Sequence, residues 1–270
     1  MTAKLHLGFG NRITTVSSAG SFVAGCGAEK AGTPQPTDYA RTTSTADVTF
    51  TGPFDNEYPI TWLDLMGDNL DLDGRYQLKL FDDYAIEVYD SGDIPRWAIE
   101  PYGGIYGWPD ATLGNPYQAM HRIPDGIEAQ SFSLTLKNTT NPAGYLQLGS
   151  IWLSNHIEIT SCLTNDGLES LIKEQKINNL SDSASDYSEV NRRWREQRLI
   201  LATLSATEAD TLHDAMFRYG STGQLLFAPK VDDAAFVQRY GFVGSFRELT
   251  AIEYPYPRLR RLALNLKEIT

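Results

Sequence analysis

The chain is poor in cysteine and histidine, with two of one and four of the other among 270 residues. Cys26 and Cys162 stand far apart, and neither belongs to a pair at metal-ligand spacing. That excludes a zinc cluster and allows one disulfide at most, so reduced thiols are the expectation. His6, His121, His156 and His213 are scattered, without the i, i+4 pairing of a helix-borne metal site, so surface or capping roles are expected and no metal. The chain has no G-x-S-x-G, Walker loop or H-E-x-x-H, and Gly8-Phe9-Gly10 lacks the third glycine and the following helix of a dinucleotide turn. Nucleotide chemistry has no support, and no cofactor is expected.

Basic residues are also short: 23 Lys and Arg stand against 34 Asp and Glu, a net charge of -11. Phosphate contacts need clustered cations, so nucleic acid is excluded as a partner. No run approaches the roughly 20 apolar residues of a spanning helix, so membrane insertion is not expected. Residues 1–12 carry glycines and an Asn where a signal core should be apolar, which predicts a chain made and at first kept in the cytoplasm.

What is present is an ordinary globular composition, 41% hydrophobic and 21% charged, long enough to bury a core without staples. Residues 1–45 are rich in Gly, Ala, Ser and Thr and read as an extended arm. From Asp47 short alternating segments follow, among them Tyr76-Gln77-Leu78-Lys79-Leu80 and Ser131-Phe132-Ser133-Leu134-Thr135-Leu136, separated by Gly52-Pro53, Asp73-Gly74, Ser91-Gly92 and Asn141-Pro142. Period two with such turn formers predicts a sandwich or barrel over residues 46–160. Residues 163–175 suggest a short helix, and the polar run 178–186 a linker, within a 161–190 connection.

Over residues 191–270 a long strand ending near Leu204 leads into Ser205-Ala206-Thr207-Glu208, a capping box that opens a helix. Ala209, Leu212, Met216 and Tyr219 form its apolar side and Gly220 its stop. Strands then follow to the alternating Leu262, Leu264 and Leu266. The fold class is therefore mainly β: a sandwich, then a smaller α+β domain with one helix on a mainly antiparallel sheet.

Asn69, Asp71, Asp73 and Gly74 match half of a calcium loop, but Leu80 stands where the closing Glu belongs, so an Asx turn before a strand is preferred. Trp97, Tyr102, Tyr106, Trp108 and Tyr117 crowd a Gly- and Pro-rich loop. They suit a sugar platform, with Asp110 or Glu100 accepting from hydroxyls, or a protein interface, or a loop folded over its own core.

Residues 61–70 (TWLDLMGDNL), 88–92 with Trp97, and 133–136 through 141–153 together resemble the discoidin-like, galactose-binding-type jelly roll of minor tail proteins in long-tailed phages and prophages. Residues 193–204, the Glu208 helix, 219–223, 225–229 and 240–244 resemble their companion domain and the ring-forming domain of distal tail proteins. The resemblance implies a structural component of a tail tip or baseplate, a virion protein assembled in the host cytoplasm. It would form symmetric copies, trimer or hexamer, beside tube end, hub and fibres, without catalysis. Residues 1–45 have no counterpart in it. The alternative is a carbohydrate-binding module touching a host surface glycan, and a third reading is a glycosidase, whose paired carboxylates need no fixed spacing.

Overall fold

In a computed structural model the described residues are 4–96, 118–160, 168–180, 186–256 and 259–269. Strands are numbered along the chain. A β-sandwich is built from two antiparallel sheets. One holds β3 (Val48–Pro59), β9 (Glu128–Lys137), β5 (Arg75–Phe81) and β6 (Glu87–Asp90), with β7 (Ile94–Pro95) on β5. The other holds β11 (Ser150–Ser154), β4 (Trp62–Met66) and β8 (Ala119–Arg122). A short pair, β2 (Ala40–Arg41) with β10 (Gln147–Leu148), closes one side. The period-two pattern explains the inner faces: Phe132, Leu134 and Leu136 of β9 and Tyr76, Leu78 and Leu80 of β5 are buried, while Ser131, Ser133 and Thr135 point outward.

A third sheet runs in the order β12 (Ile157–Ile159), β1 (Leu5–Phe9), β15 (Gln224–Pro229), β16 (Phe242–Glu248), β18 (Leu259–Glu268), β14 (Asp186–Leu204) and β13 (Leu168–Leu180). β17 (Glu253–Tyr256) pairs with β18. All its pairings are antiparallel. This sheet is a middle layer. Leu5, Leu7, Phe9, Leu225 and Phe227 pack toward α1 (Ala206–Tyr219), through Ala209, Leu212 and Met216. Leu226, Ala228 and Val243 pack the other way, on Trp62, Met66 and Trp152 of the sandwich. Burial on both faces is why β1, β4 and β11 are enclosed along their whole length.

The capping box forms as its residues predict: the Glu208 amide donates to Ser205 Oγ at 3.2 Å, and the Ser205 amide to the Glu208 carboxylate at 2.9 Å. Gly220 ends the helix at φ 58°.

Four expectations are corrected. Residues 1–45 are not a loose arm in the part described: β1 is an inner strand between β12 and β15, Val16 is buried, and Phe22 packs 6.0 Å from Phe50. Their apolar side chains, spaced among Gly and Ser, suffice because strands of both units receive them. Where a short helix was expected over 163–175, the described part, from Leu168, is strand β13. Leu168, Leu171 and Ile172 mimic helical spacing, but pairing with β14 along thirteen register positions decides the outcome. The polar run 178–186 is not a plain linker: Asn178–Leu180 and Asp186 are paired strand ends of that hairpin, and 181–185 lie outside the described residues. A second helix, α2 (Ala234–Tyr240), was not foreseen; Asp233 caps it, accepting from the Phe236 amide at 3.0 Å.

Candidate functional site

The hairpin β13–β14 extends past the strand that flanks it in the sheet. β14 pairs with β18 only from Glu196 to Leu204, whereas its pairing with β13 runs on from Ile172↔Arg195 to Leu180↔Asp186. Beyond the sheet the two strands therefore continue alone for about 30 Å, at ~3.3 Å per residue. β13 is the last strand of its sheet, so its outer edge has no partner among the described residues. Ile172 at its base is 74% exposed. A second apolar surface lies on the outer side of α1, where Phe217 (87% exposed), Leu249 and Tyr254 border a groove of about 380 Å³ with Met216 and Ile252.

Where the sandwich meets the middle sheet, histidines are not isolated. His6 and His156, 150 positions apart, stack with ring centroids 3.6 Å apart, and both approach Glu158. Three ligand-type atoms thus lie within 4.8 Å, and a cation must be tested. The Trp62 indole, a donor only, gives its N–H to His6 Nδ1 at 3.1 Å. The ring proton therefore sits on Nε2, which donates to Glu158 at 3.2 Å. A cation at Nε2 would need the lone pair that the proton occupies, so these residues do not fit a metal. Burial, and next the adjacent His156, bring His6 down to about 4; burial likewise lowers His156, and takes His121 to about 4. His121 bonds the Tyr89 hydroxyl at 2.9 Å. Of the surface or capping roles expected of all four, a surface place holds for His213 and fails for His6, which is fully enclosed.

Charge is buried at the same junction. Arg96 donates to Asp68 at 2.9 Å, with both side chains enclosed. Arg195 pairs with Glu268, which also accepts from Gln118 at 3.3 Å. Between them both carboxyl oxygens of Asp64 are buried without a hydrogen-bond partner among the described residues, and burial pushes this carboxyl well above the usual carboxylate range. Residues 69–74 form a turn: Asn69 Oδ1 accepts from the Gln147 amide at 2.7 Å, and Asp71 Oδ1 from the Asp73 amide at 2.9 Å.

The aromatic residues singled out by the sequence, Trp97, Tyr102, Tyr106, Trp108 and Tyr117, lie outside the described residues, as do Glu100, Asp110 and Cys162. Cys26 carries a free, half-buried thiol. The His6 junction escaped sequence reasoning because it joins segments distant along the chain, and the hairpin because Leu168, Leu171 and Ile172 carry helical rather than alternating spacing.

No family model matches the chain, and no curated protein matches it. Among solved structures it is similar to a fucose-binding module of Streptococcus pneumoniae, at 9% identity over 54% of this chain and 98% of that one, with a TM-score of 0.38. It is similar to a family 32 carbohydrate-binding module of Clostridium perfringens in complex with GalNAc-β-1,3-galactose, at 11% identity over 52% and 94%, TM-score 0.39. A third is the family 32 module of C. perfringens NanJ in complex with galactose, at 10% identity over 54% and 93%, TM-score 0.37. The structural neighbours are thus carbohydrate-binding modules.

Proposed function

We propose that this protein is a non-enzymatic assembly subunit that joins copies of itself and neighbouring proteins through the β13–β14 hairpin. One observation carries the reading: a two-stranded ribbon projects about 30 Å from its sheet, and such a ribbon is marginal alone in water. A neighbour that covers it supplies the missing contacts, and the unpaired edge of β13 offers backbone groups for strand addition. The apolar groove beside Phe217 adds a second surface of the kind that assemblies bury. With the resemblance of residues 61–153 and 193–244 to tail-tip and baseplate proteins, the setting we propose is a phage tail, with tube end, hub and fibres as proposed partners.

The test compares the full chain with a variant in which residues 175–192 are replaced by an Asn-Gly turn between Glu174 and Arg193, a pair in register. Sedimentation should show multi-copy species for the full chain and a folded monomer for the variant. A full chain that stays monomeric at every concentration, with the ribbon's amides exchanging as an open strand would, overturns the proposal.

A second reading, glycan binding by the sandwich, is favoured by Tyr84, which is 78% exposed in the β5–β6 turn. Asp82 braces that turn by accepting from the Tyr84 and Ile86 amides at 3.0 and 2.8 Å, so an aromatic face is held out where a pyranose ring can stack. Loss of glycan-array binding in Tyr84→Ala would support it; binding to no neutral glycan would remove it.

A further inference from the structure

A cleft of about 310 Å³ opens between α1 and the junction of the sandwich with the middle sheet. That volume suits one sugar-sized ligand, at the lower end of small-molecule pockets. Its floor is apolar, formed in part by Phe9 and Ala215, and Tyr219 stacks on Phe9 at 5.3 Å and is thereby fixed in orientation. Its lining carries two arginines with no carboxylate partner among the described residues, in a chain where acids outnumber bases 34 to 23. Arg12 holds its guanidinium 4.4 Å from the centre of the Tyr58 ring, and its Nε is buried with no hydrogen-bond acceptor among the described residues. Arg218 approaches from the last turn of α1 and makes no ion pair among the described residues.

The remaining polar groups are of mixed kind. Asn155 spends its oxygen on the Thr61 hydroxyl and the His156 amide, which leaves its Nδ2 donors open. Thr211 donates to the Thr207 carbonyl at 2.8 Å and keeps its lone pairs. Asp214 is exposed and adds a pure acceptor. Two cations and one acid along the lining leave a net single positive charge, which a ligand with one carboxylate balances, and the acceptors call for ligand hydroxyls. We propose that this cleft binds a carboxylate-bearing monosaccharide, such as the terminal residue of an acidic glycan, with Arg12 and Arg218 on the acid group and Asp214, Thr211 and Asn155 on hydroxyls. The site is separate from the Tyr84 turn and from the hairpin, and it stands whether or not the chain assembles.

Calorimetric titration of the full chain with D-glucuronate and with N-acetylneuraminate tests it, with D-glucose and acetate as controls. At least one acid sugar should bind saturably, weaken as salt rises, and exceed both controls by about tenfold. Arg218→Gln sits on an exposed helix end and leaves folding intact, so it should cost about tenfold in affinity without moving the melting temperature. Arg12→Gln should cost a similar loss of affinity, with some fall in melting temperature as the contact with Tyr58 is lost. Saturable binding by neither acid sugar, equal binding of acetate, or full affinity in Arg218→Gln would each overturn the proposal.

Discussion

Trp62 and His6 are joined by one hydrogen bond, the indole N–H donating to Nδ1 at 3.1 Å across the boundary between the sandwich and the middle sheet. The bond fixes the tautomer of a fully enclosed histidine, and through it ties β4 to β1, two strands that share no ladder. A polar contact of this kind selects one docking of the two layers, because a shifted docking leaves both groups buried and unpaired.

The first prediction follows from the protonation of that ring. His6 falls to about 4 in the fold against an ordinary 6.5, so the unfolded chain binds the extra proton first as pH drops. Its contribution to stability is complete above about 6.5 and is lost as pH falls toward 4, on the order of 3 kcal/mol at full burial. His6→Asn keeps an acceptor for Trp62 but does not titrate. The melting temperature of the variant should therefore decline less between pH 7 and pH 4 than that of the parent; parallel curves would show that His6 is charged in the fold.

Asp64 works in the opposite sense. Its carboxyl is raised well above 3.8 by burial, so the folded chain holds a proton that the unfolded chain releases. Stability from this group is greatest below 3.8 and declines as pH rises toward the folded value, by about 1.4 kcal/mol per unit. Asp64→Asn removes the titration at nearly constant volume. Denaturant midpoints at pH 5 and pH 8 should show the variant gaining on the parent as pH rises, and a constant gap would mean that Asp64 is ionised.

The alternation of Ser131 to Leu136 and the Ser205-to-Glu208 spacing encode local geometry, and both elements form as their residues direct. β1 carries no such message. Leu5-His6-Leu7-Gly8-Phe9 becomes an inner strand because Phe227 and Leu225 pair with Leu7 and Phe9 from more than two hundred positions away. β13 misleads outright, since Leu168, Leu171 and Ile172 sit at helical spacing while the cross-strand partners that decide its conformation, such as Arg195 opposite Ile172, lie further along the chain in β14. The His6–His156 stack was hidden for the same reason: the pairing of β1 with β12 brings His6 beside the residue that precedes β12, and no motif window contains both. The Asn69-to-Gly74 turn was legible because Asx bonding is local.

The third prediction concerns α1. Ser205→Ala removes the oxygen that accepts from the Glu208 amide and should lower stability by about 0.5 to 2 kcal/mol. Glu208 also accepts from the amide and hydroxyl of Thr160, so it ties the helix start to the end of β12. Although burial alone would raise it, the Ser205 and Thr160 donors bring this carboxyl down to about 2. Its contribution is complete above about 4.5 and is lost as pH falls toward 2. Acid titration of Glu208→Gln should lack that component, and an unchanged denaturation midpoint in Ser205→Ala would show that the helix start is held by Thr160 instead.

The last prediction tests how the N-terminal segment is held. Residues 13–17 lie along β3: the Ser17 amide donates to the Thr51 carbonyl and the Thr51 amide to the Ser17 carbonyl, each at 2.8 Å, with Ile13 opposite Phe54. Gly52 permits this approach. A Cβ there would lie 2.2 Å from the Thr15 carbonyl oxygen and 2.8 Å from the Phe132 ring, and the first of these is backbone that no rotamer change can relieve. Gly52→Ala must therefore displace the segment or β3, at a cost of about 1 to 3 kcal/mol, typical of overpacking. Since β1 is anchored independently by β12 and β15, the displacement should stop short of it. Amide exchange separates the outcomes: the Ser17 amide should exchange faster in the variant while Leu5, Leu7 and Phe9 keep their protection. Equal acceleration in both stretches would mean that residues 5–17 open as one unit, and no acceleration would mean that Gly52 has room the close approach denies.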